Sequence, residues 1–183
     1  MSTHVPEQRS DGPTGPLVIP AASLLPAGDR TQDQQRARLL AQALAPGTSD
    51  YRMLVLQGAP AAKTRPRFTR EGRAYKTDAD EQAEAKTGWS LRRSFRQPWT
   101  GNLALGAVFF RPDRQRIDVD NLLKHLCDAG NGIAWVDDAQ ITAVYGVAEL
   151  DAENPRTLLV VARHVSSLDR SDVVDKPRRR KAG

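Results

Sequence analysis

Between residues 50 and 166 the apolar side chains follow two rhythms. YRMLVLQG (51–58) alternates and is closed by Gly58 and Pro60, which predicts a strand. GNLALGAVFFRP (101–112) is apolar almost throughout, as a central strand is. ITAVYGVAEL and RTLLVVARHV predict two more strands, joined by a turn at DAENP. Helical spacing appears twice. Thr77 can cap a helix whose first turn carries Asp78, Asp80 and Glu81, suiting the helix dipole. That helix should run to about Arg96, with a weak point at Gly88 and a stop before Pro98. From Ile117 to about Ala129, Leu122, Leu123 and Leu126 fall at i, i+1 and i+4, and GNG (130–132) ends the helix. AAKTRPRFTREGRAYK, after the first strand, predicts a loop or irregular hairpin. The order β, loop, α, β, α, β, β implies a single small α+β domain with a mixed or antiparallel sheet and two main helices.

The flanks differ in kind. Residues 1–49 are rich in Pro, Gly, Ser, Ala and Gln and predict a disordered extension, because such composition buries too little to offset ordering entropy. Within it QDQQRARLLAQALA (32–45) can form one marginal helix, ended by Pro46-Gly47. Residues 167–183, with the run KPRRRK, predict a flexible basic tail able to grip phosphate non-specifically or simply to be solvated. The expected domain is therefore residues 50–166.

Composition narrows the possible partners. No apolar run approaches the roughly 20 residues needed to cross a bilayer, and the first 30 residues lack a signal-peptide plan, so a cytoplasmic, nucleoid-associated protein without membrane contact is expected. The lone cysteine, Cys127, excludes an intrachain disulfide and a multi-cysteine zinc site, and its apolar setting predicts a buried, inert thiol. Formal net charge is +5, which makes an anionic partner plausible. Residues 51–165 carry 17 basic and 14 acidic side chains, with the bases early and the acids late.

The late acid is concentrated. RIDVDNLLKHLCDAGNGIAWVDDAQI (116–141) holds five aspartates among leucines, isoleucines and tryptophan, where repulsion and desolvation both oppose folding. If Asp120 caps the helix, Ile117–Val119 are extended and Asp118 and Asp120 point the same way. Asp120, Lys124 and Asp128 then share a helical stripe, and Asp137-Asp138 closes the next loop. Three carboxylates from two segments can thus converge beside one ammonium. Such oxygen donors suit Mg²⁺, which takes one or two carboxylates with water and substrate phosphate and can activate phosphodiester hydrolysis. Taken singly, the DxD is equally a cap plus a dipole-friendly acid, and the DD equally a turn.

These residues resemble the RusA family of Holliday-junction resolvases. The shared pattern is D-x-D-N-x-x-K, a helix with D-A, a short loop, a hydrophobic pair, D-D-x-Q and a strand. An upstream P-x-x-K-x-R-P-R-F segment is filled by Pro60, Lys63, Arg65, Pro66, Arg67 and Phe68. The resemblance spans about residues 51–165. It implies Asp118, Asp120 and Asp138 as metal-binding catalytic acids, Lys124 as the catalytic-site lysine, and Asp137 as the less critical member of the pair. It also implies Mg²⁺ (or Mn²⁺) as cofactor, a four-way DNA junction as substrate in recombination and repair, and a homodimer, since two symmetric cuts need two sites. Members often carry a lysine late in the strand after the aspartate pair; this chain has Ala148 and Glu149 there.

The basic segment agrees with that expectation. Lys63, Arg65, Arg67, Arg70, Arg73 and Lys76 stand against one acid, Glu71, with Phe68 and Tyr75 interleaved. Extended, Lys63, Arg65 and Arg67 share one edge, and with Arg73 they are expected to hold DNA arms by their phosphates. The competing expectations are a solvated hairpin, a non-catalytic binding module for branched DNA, and a related nuclease acting on flaps or forks.

Overall fold

The computed structural model describes residues 30–64, 67–75 and 77–168. The basic run KPRRRK lies outside them.

Every residue of β4 (Leu103–Arg111) is buried, and its neighbours show why. It lies between β6 (Arg156–Arg163), antiparallel to it, and β5 (Ile141–Leu150), parallel to it. Helices cover both of its faces, so Leu103 to Phe110 read as an unbroken apolar run, and only the terminal Arg111 is charged. β1 (Tyr51–Gln57) pairs antiparallel with β6, completing a mixed sheet of order β1-β6-β4-β5. The basic segment forms the expected hairpin, β2 (Arg67–Phe68) with β3 (Ala74–Tyr75).

Side chains alternate across the sheet. Leu105, Ala107 and Phe109 of β4 join Leu159 and Val161 of β6 under two helices, α2 (Asp78–Arg92) and α3 (Val119–Gly130), which add Leu91, Leu122 and Leu126. Val108, Phe110, Leu158 and Val160 face the other way. There they meet a third helix, α1 (Arg30–Leu44), through Ala37, Leu40 and Ala41.

The expected α+β architecture with a mixed sheet holds, and α1, the marginal helix of the sequence, adds a third helix packed against it. The segment was legible as a marginal helix, but an isolated helix of this length is unstable in water. What holds it is the apolar face of β4 and β6, which is bare without it. Contact is close: a Cβ on Gly106 would meet Leu44 Cδ1 at 2.7 Å.

A buried charge clamp fixes the same helix. Arg156, 1% exposed, donates from Nε and Nη2 to both carboxylate oxygens of Asp33 at 3.1 Å. Its Nη1 donates to Asp151 at 2.8 Å and to the Asn154 carbonyl at 3.0 Å. The guanidinium lies 3.8 Å from the Phe110 ring centroid.

Two glycines set the spacing on the opposite face. Gly88, expected to weaken α2, is buried where α2 meets α3: a Cβ there would lie 2.8 Å from Ile133 Cδ1. Gly130 admits the Trp135 ring, which a Cβ would strike at 2.0 Å. α2 starts with the expected Thr77 cap, extended into a capping box with Asp80, but stops at Arg92, four residues early.

Candidate active site

α3 begins one residue before Asp120 can cap it. The N-cap is Asp118, extended at φ −76° and ψ 135°, and Asp120 already lies in the first helical turn. The expected pairing of Asp118 and Asp120 along an extended strand is therefore replaced by an N-cap and a first-turn position. The Asp118 side chain makes no capping hydrogen bond. It is exposed. Asp120, also exposed, accepts from the Asn121 amide at 2.9 Å.

Further along α3 the expected stripe forms. Lys124, 60% exposed, reaches toward Asp128, its Nζ 3.9 Å from Oδ1. Asp128 is more firmly held by Lys63, whose ammonium lies 2.6 Å from its Oδ2 and 2.7 Å from Oε1 of Glu84 on α2. Lys63 also donates its backbone amide to the Asn121 carbonyl at 2.9 Å. Burial alone would lower the Lys63 pKa, but the two carboxylates outweigh it and hold the group above its ordinary value. Expected on a DNA-facing edge, Lys63 instead ties the base of the basic segment to α2 and α3.

Of the other expected DNA contacts, Arg73 is exposed at the hairpin, with its backbone amide accepted by Thr69 Oγ1 at 3.3 Å. Arg65 lies outside the described residues. Arg67 stands on β2, its side chain outside them as well.

The aspartate pair sits in the turn before β5. Asp137 caps a 3-10 turn (Asp138–Gln140), accepting from the Ala139 amide at 2.8 Å. The Asp138 carbonyl accepts from the Ile141 amide, while its carboxylate makes no hydrogen bond or ion pair among the described residues. Its charge reaches Cys127 on α3: burial first, then Asp138 and Asp128, push the thiol up to about 11. That matches the inert cysteine expected.

Gln140 closes the D-D-x-Q element of the motif. It is fully buried. Its Oε1 accepts the amides of Val136 and Asp137 at 2.8 and 3.0 Å. Its Nε2 donates to the carbonyls of Trp99 and Gly101 at 2.9 and 2.8 Å. One side chain thus satisfies four backbone groups and bolts the aspartate turn to the segment leading into β4. Trp135, also fully buried, reinforces the turn by donating Nε1 to the Cys127 carbonyl and Asn131 Oδ1, both at 3.1 Å.

His125 had no expected role. It is 3% exposed, its Nε2 3.0 Å from Thr87 Oγ1, and burial lowers its pKa. It joins α2 to α3.

The arrangement brings Asp120, Lys124 and Asp128 onto one stripe but leaves the aspartates of the motif in two groups. Among the described residues no three His, Cys, Asp or Glu side chains gather tightly enough to hold a metal ion. Glu149, standing where the resemblance expected a lysine, is half-buried and faces Arg36 of α1 at 3.6 Å.

A mixed sheet whose central strand leads into an acid-bearing helix, joined by a short hairpin, makes one small α+β domain. The model of the RusA endodeoxyribonuclease family matches residues 57–162, more than half of the 183 residues, and the chain belongs to that family. The match runs from the last residue of β1 to near the end of β6 and leaves α1 outside. No individual curated protein matches the chain.

Proposed function

We propose that this protein is a divalent-metal-dependent endonuclease that resolves four-way DNA junctions in recombination and repair. The observation that carries the proposal is Asp118. An aspartate at an N-cap ordinarily closes on the second or third amide of the helix, a bond worth about 1 kcal/mol. Here the carboxylate stays exposed and uncommitted, in a chain that belongs to an endodeoxyribonuclease family.

The donors fit a hard cation. Mg²⁺ is bound through one or two carboxylates together with water and phosphate oxygens, rather than by a closed cage. Asp118 and Asp120 offer oxygen donors at the start of α3, and Asp138 offers another. When bound, the ion polarises the phosphodiester and lowers the pKa of water at the site. The remaining work belongs to the chain. Lys124 faces solvent one turn beyond Asp120, placed to meet negative charge developing on phosphorus. Gln140 keeps Asp138 in position through the backbone it holds. Arg73, with Arg65 and Arg67, grips the backbone of the DNA arms without reading bases. A two-fold dimer presents two such sites to the two strands that must be cut.

Incubation with a labelled four-way junction, in Mg²⁺ or in EDTA, tests the proposal beside Asp118→Asn. Paired symmetric nicks that require metal and vanish in the variant are expected. Tight junction binding without cleavage in Mg²⁺ or Mn²⁺ would make the protein a binding module, and cleavage of flaps in preference to junctions would make it a flap nuclease.

A further inference from the structure

The outer face of α2 carries a large side chain that the packing of the domain does not use. Trp135 is fully buried, and Trp99 packs edge-on against Phe95 with ring centroids 5.3 Å apart. Trp89 is 71% exposed and meets no other ring among the described residues. Its neighbours Gly88 and Leu91 are buried on the inner face of the same helix, so the apolar stripe is complete without it. An indole left in water forgoes the burial that ordinarily makes this side chain stabilising.

Cations stand beside it. Arg92 and Arg93 lie three and four residues on, the spacing of neighbours on one helical face, and Arg96 follows where the chain leaves the helix. All three are exposed, and none of their side chains forms an ion pair or hydrogen bond among the described residues. The helix dipole favours bases in a last turn, which accounts for the arginines but not for a tryptophan among them.

Trp89 and Arg92 both line an open groove of about 620 Å³ between α2 and α3. Gly88, Ala129 and Ile133 give it a small and apolar lining, and Gly88 must stay small there, since a Cβ would lie 2.8 Å from Ile133 Cδ1. Glu84 and Asp128 also line it, but Lys63 meets them at 2.7 and 2.6 Å. Asn131 gives its Oδ1 to the Trp135 indole at 3.1 Å, leaving its amide donors without a partner among the described residues.

A bare flat ring, an apolar groove beside it and unpaired cations at helical spacing are together what an unstacked nucleotide needs: a face for the base and positive charge for its phosphates. A duplex cannot use Trp89 in this way, because stacking covers both faces of every interior base. An acidic peptide would satisfy the arginines and leave the indole bare. We infer that this groove is a second nucleic-acid site, one that binds unpaired DNA by stacking a base on Trp89 and seating the flanking phosphates on Arg92 and Arg93. Asp128, which lines the groove, is one helical turn beyond Lys124 on α3, so a strand in the groove continues along the acidic helix. A branched substrate with unpaired nucleotides at its crossover gains a contact there that a fully paired arm lacks. The site draws neither on a metal ion nor on the roles proposed for the aspartates.

Binding in EDTA tests it without cleavage. The full chain is titrated with a short oligothymidylate, which cannot pair with itself, and indole emission is followed. Stacking should quench the emission, whereas binding by basic residues elsewhere in the chain would leave it unchanged. Trp89→Ala should abolish the quench and weaken binding about 5- to 150-fold, the range for one stacked base. Trp89→Phe, which keeps a ring, should retain most of the affinity. Arg92→Gln with Arg93→Gln should lower the slope of log affinity against log salt by about 1.4, about 0.7 for each phosphate contact on a single strand. A duplex of the same length should bind wild type and Trp89→Ala alike. No quench at saturating oligothymidylate, equal affinity of wild type and Trp89→Ala, or an equal loss on duplex would overturn the inference. Quenching by a glutamate-rich peptide but not by the oligonucleotide would make the groove a protein-docking site instead. Trp89-dependent binding in a protein that never cuts junctions would leave this site standing and remove the nuclease proposal. Junction cleavage by a protein whose Trp89→Ala variant binds oligothymidylate as the wild type does would do the reverse.

Discussion

Asp33→Ala tests whether α1 is part of the core or a dispensable extension. The substitution removes both oxygens that the buried Arg156 guanidinium uses at 3.1 Å. Breaking a buried pair by deleting one partner typically destabilises by about 3–5 kcal/mol, because a charge is left without its counterion. Arg156 is not stranded, however. It keeps Asp151 at 2.8 Å, the Asn154 carbonyl at 3.0 Å and the face of Phe110. The loss should therefore fall at about 2–3 kcal/mol, below the range for a fully orphaned charge. Urea unfolding followed by circular dichroism measures it. With a denaturant slope of about 1–3 kcal/mol per molar, the midpoint should drop by about 0.7–3 M. Arg156→Met added to Asp33→Ala should recover part of that loss, since removing both partners of a buried pair is often near neutral. A midpoint change equivalent to less than about 0.5 kcal/mol, the level of an ordinary surface substitution, would refute the buried clamp.

Other expectations follow from the same contacts. Lys63→Met should leave the salt dependence of junction binding unchanged while lowering stability by about 1–2 kcal/mol, because its ammonium is engaged by Glu84 and Asp128. Arg73→Ala should instead reduce the slope of log affinity against log salt by about one, as loss of a phosphate contact does. Gln140→Leu leaves four backbone groups unpaired and should destabilise by about 2–4 kcal/mol. Its amides at Val136 and Asp137 should lose hydrogen-exchange protection, an effect that Asp118→Asn should not share. His125 has a pKa lowered by burial, so the unfolded chain takes up its proton first as the solution is acidified. Its stabilising contribution is present above the unfolded pKa of about 6.5 and is lost as the pH falls toward the folded value. His125→Gln should flatten urea midpoints measured across pH 5–7. Finally, with its thiol at about 11, Cys127 should react with a disulfide reagent at neutral pH only on the timescale of unfolding.

Much of this molecule is legible one segment at a time. Alternation in YRMLVLQG, the unbroken run of β4, the threonine cap of α2 and the GNG stop of α3 are local instructions. Backbone sterics and capping read them the same way in most settings. The acidic residues and their neighbours were legible too, because carboxylates among leucines are costly unless something uses them.

Other features depend on what lies across the sheet or the helix pair. α1 looked marginal because its helix tendency is weak alone, and no local signal reveals that Val108, Phe110, Leu158 and Val160 need covering. Gly88 reads as a defect along α2, yet it is the point where Ile133 presses in. Lys63 reads as one cation in a basic row, and only the approach of α2 to α3 hands it to Glu84 and Asp128. Gln140 carries no hydrophobic or charge signal, since its role is to satisfy backbone groups some forty residues away.

The sequence by itself determined which side chains are available for the proposed chemistry and which elements carry them. Charge, size and local propensity are properties of the residue and its near neighbours. Where each acid stands was a tertiary decision. One residue of helix start moved Asp118 to the cap and Asp120 into the first turn, and the crossover from β4 through α3 to β5 put Asp138 at the far end of the helix. The physical reason is that distances between segments are set by packing the apolar faces of the sheet and helices, and the polar residues go where that packing carries them.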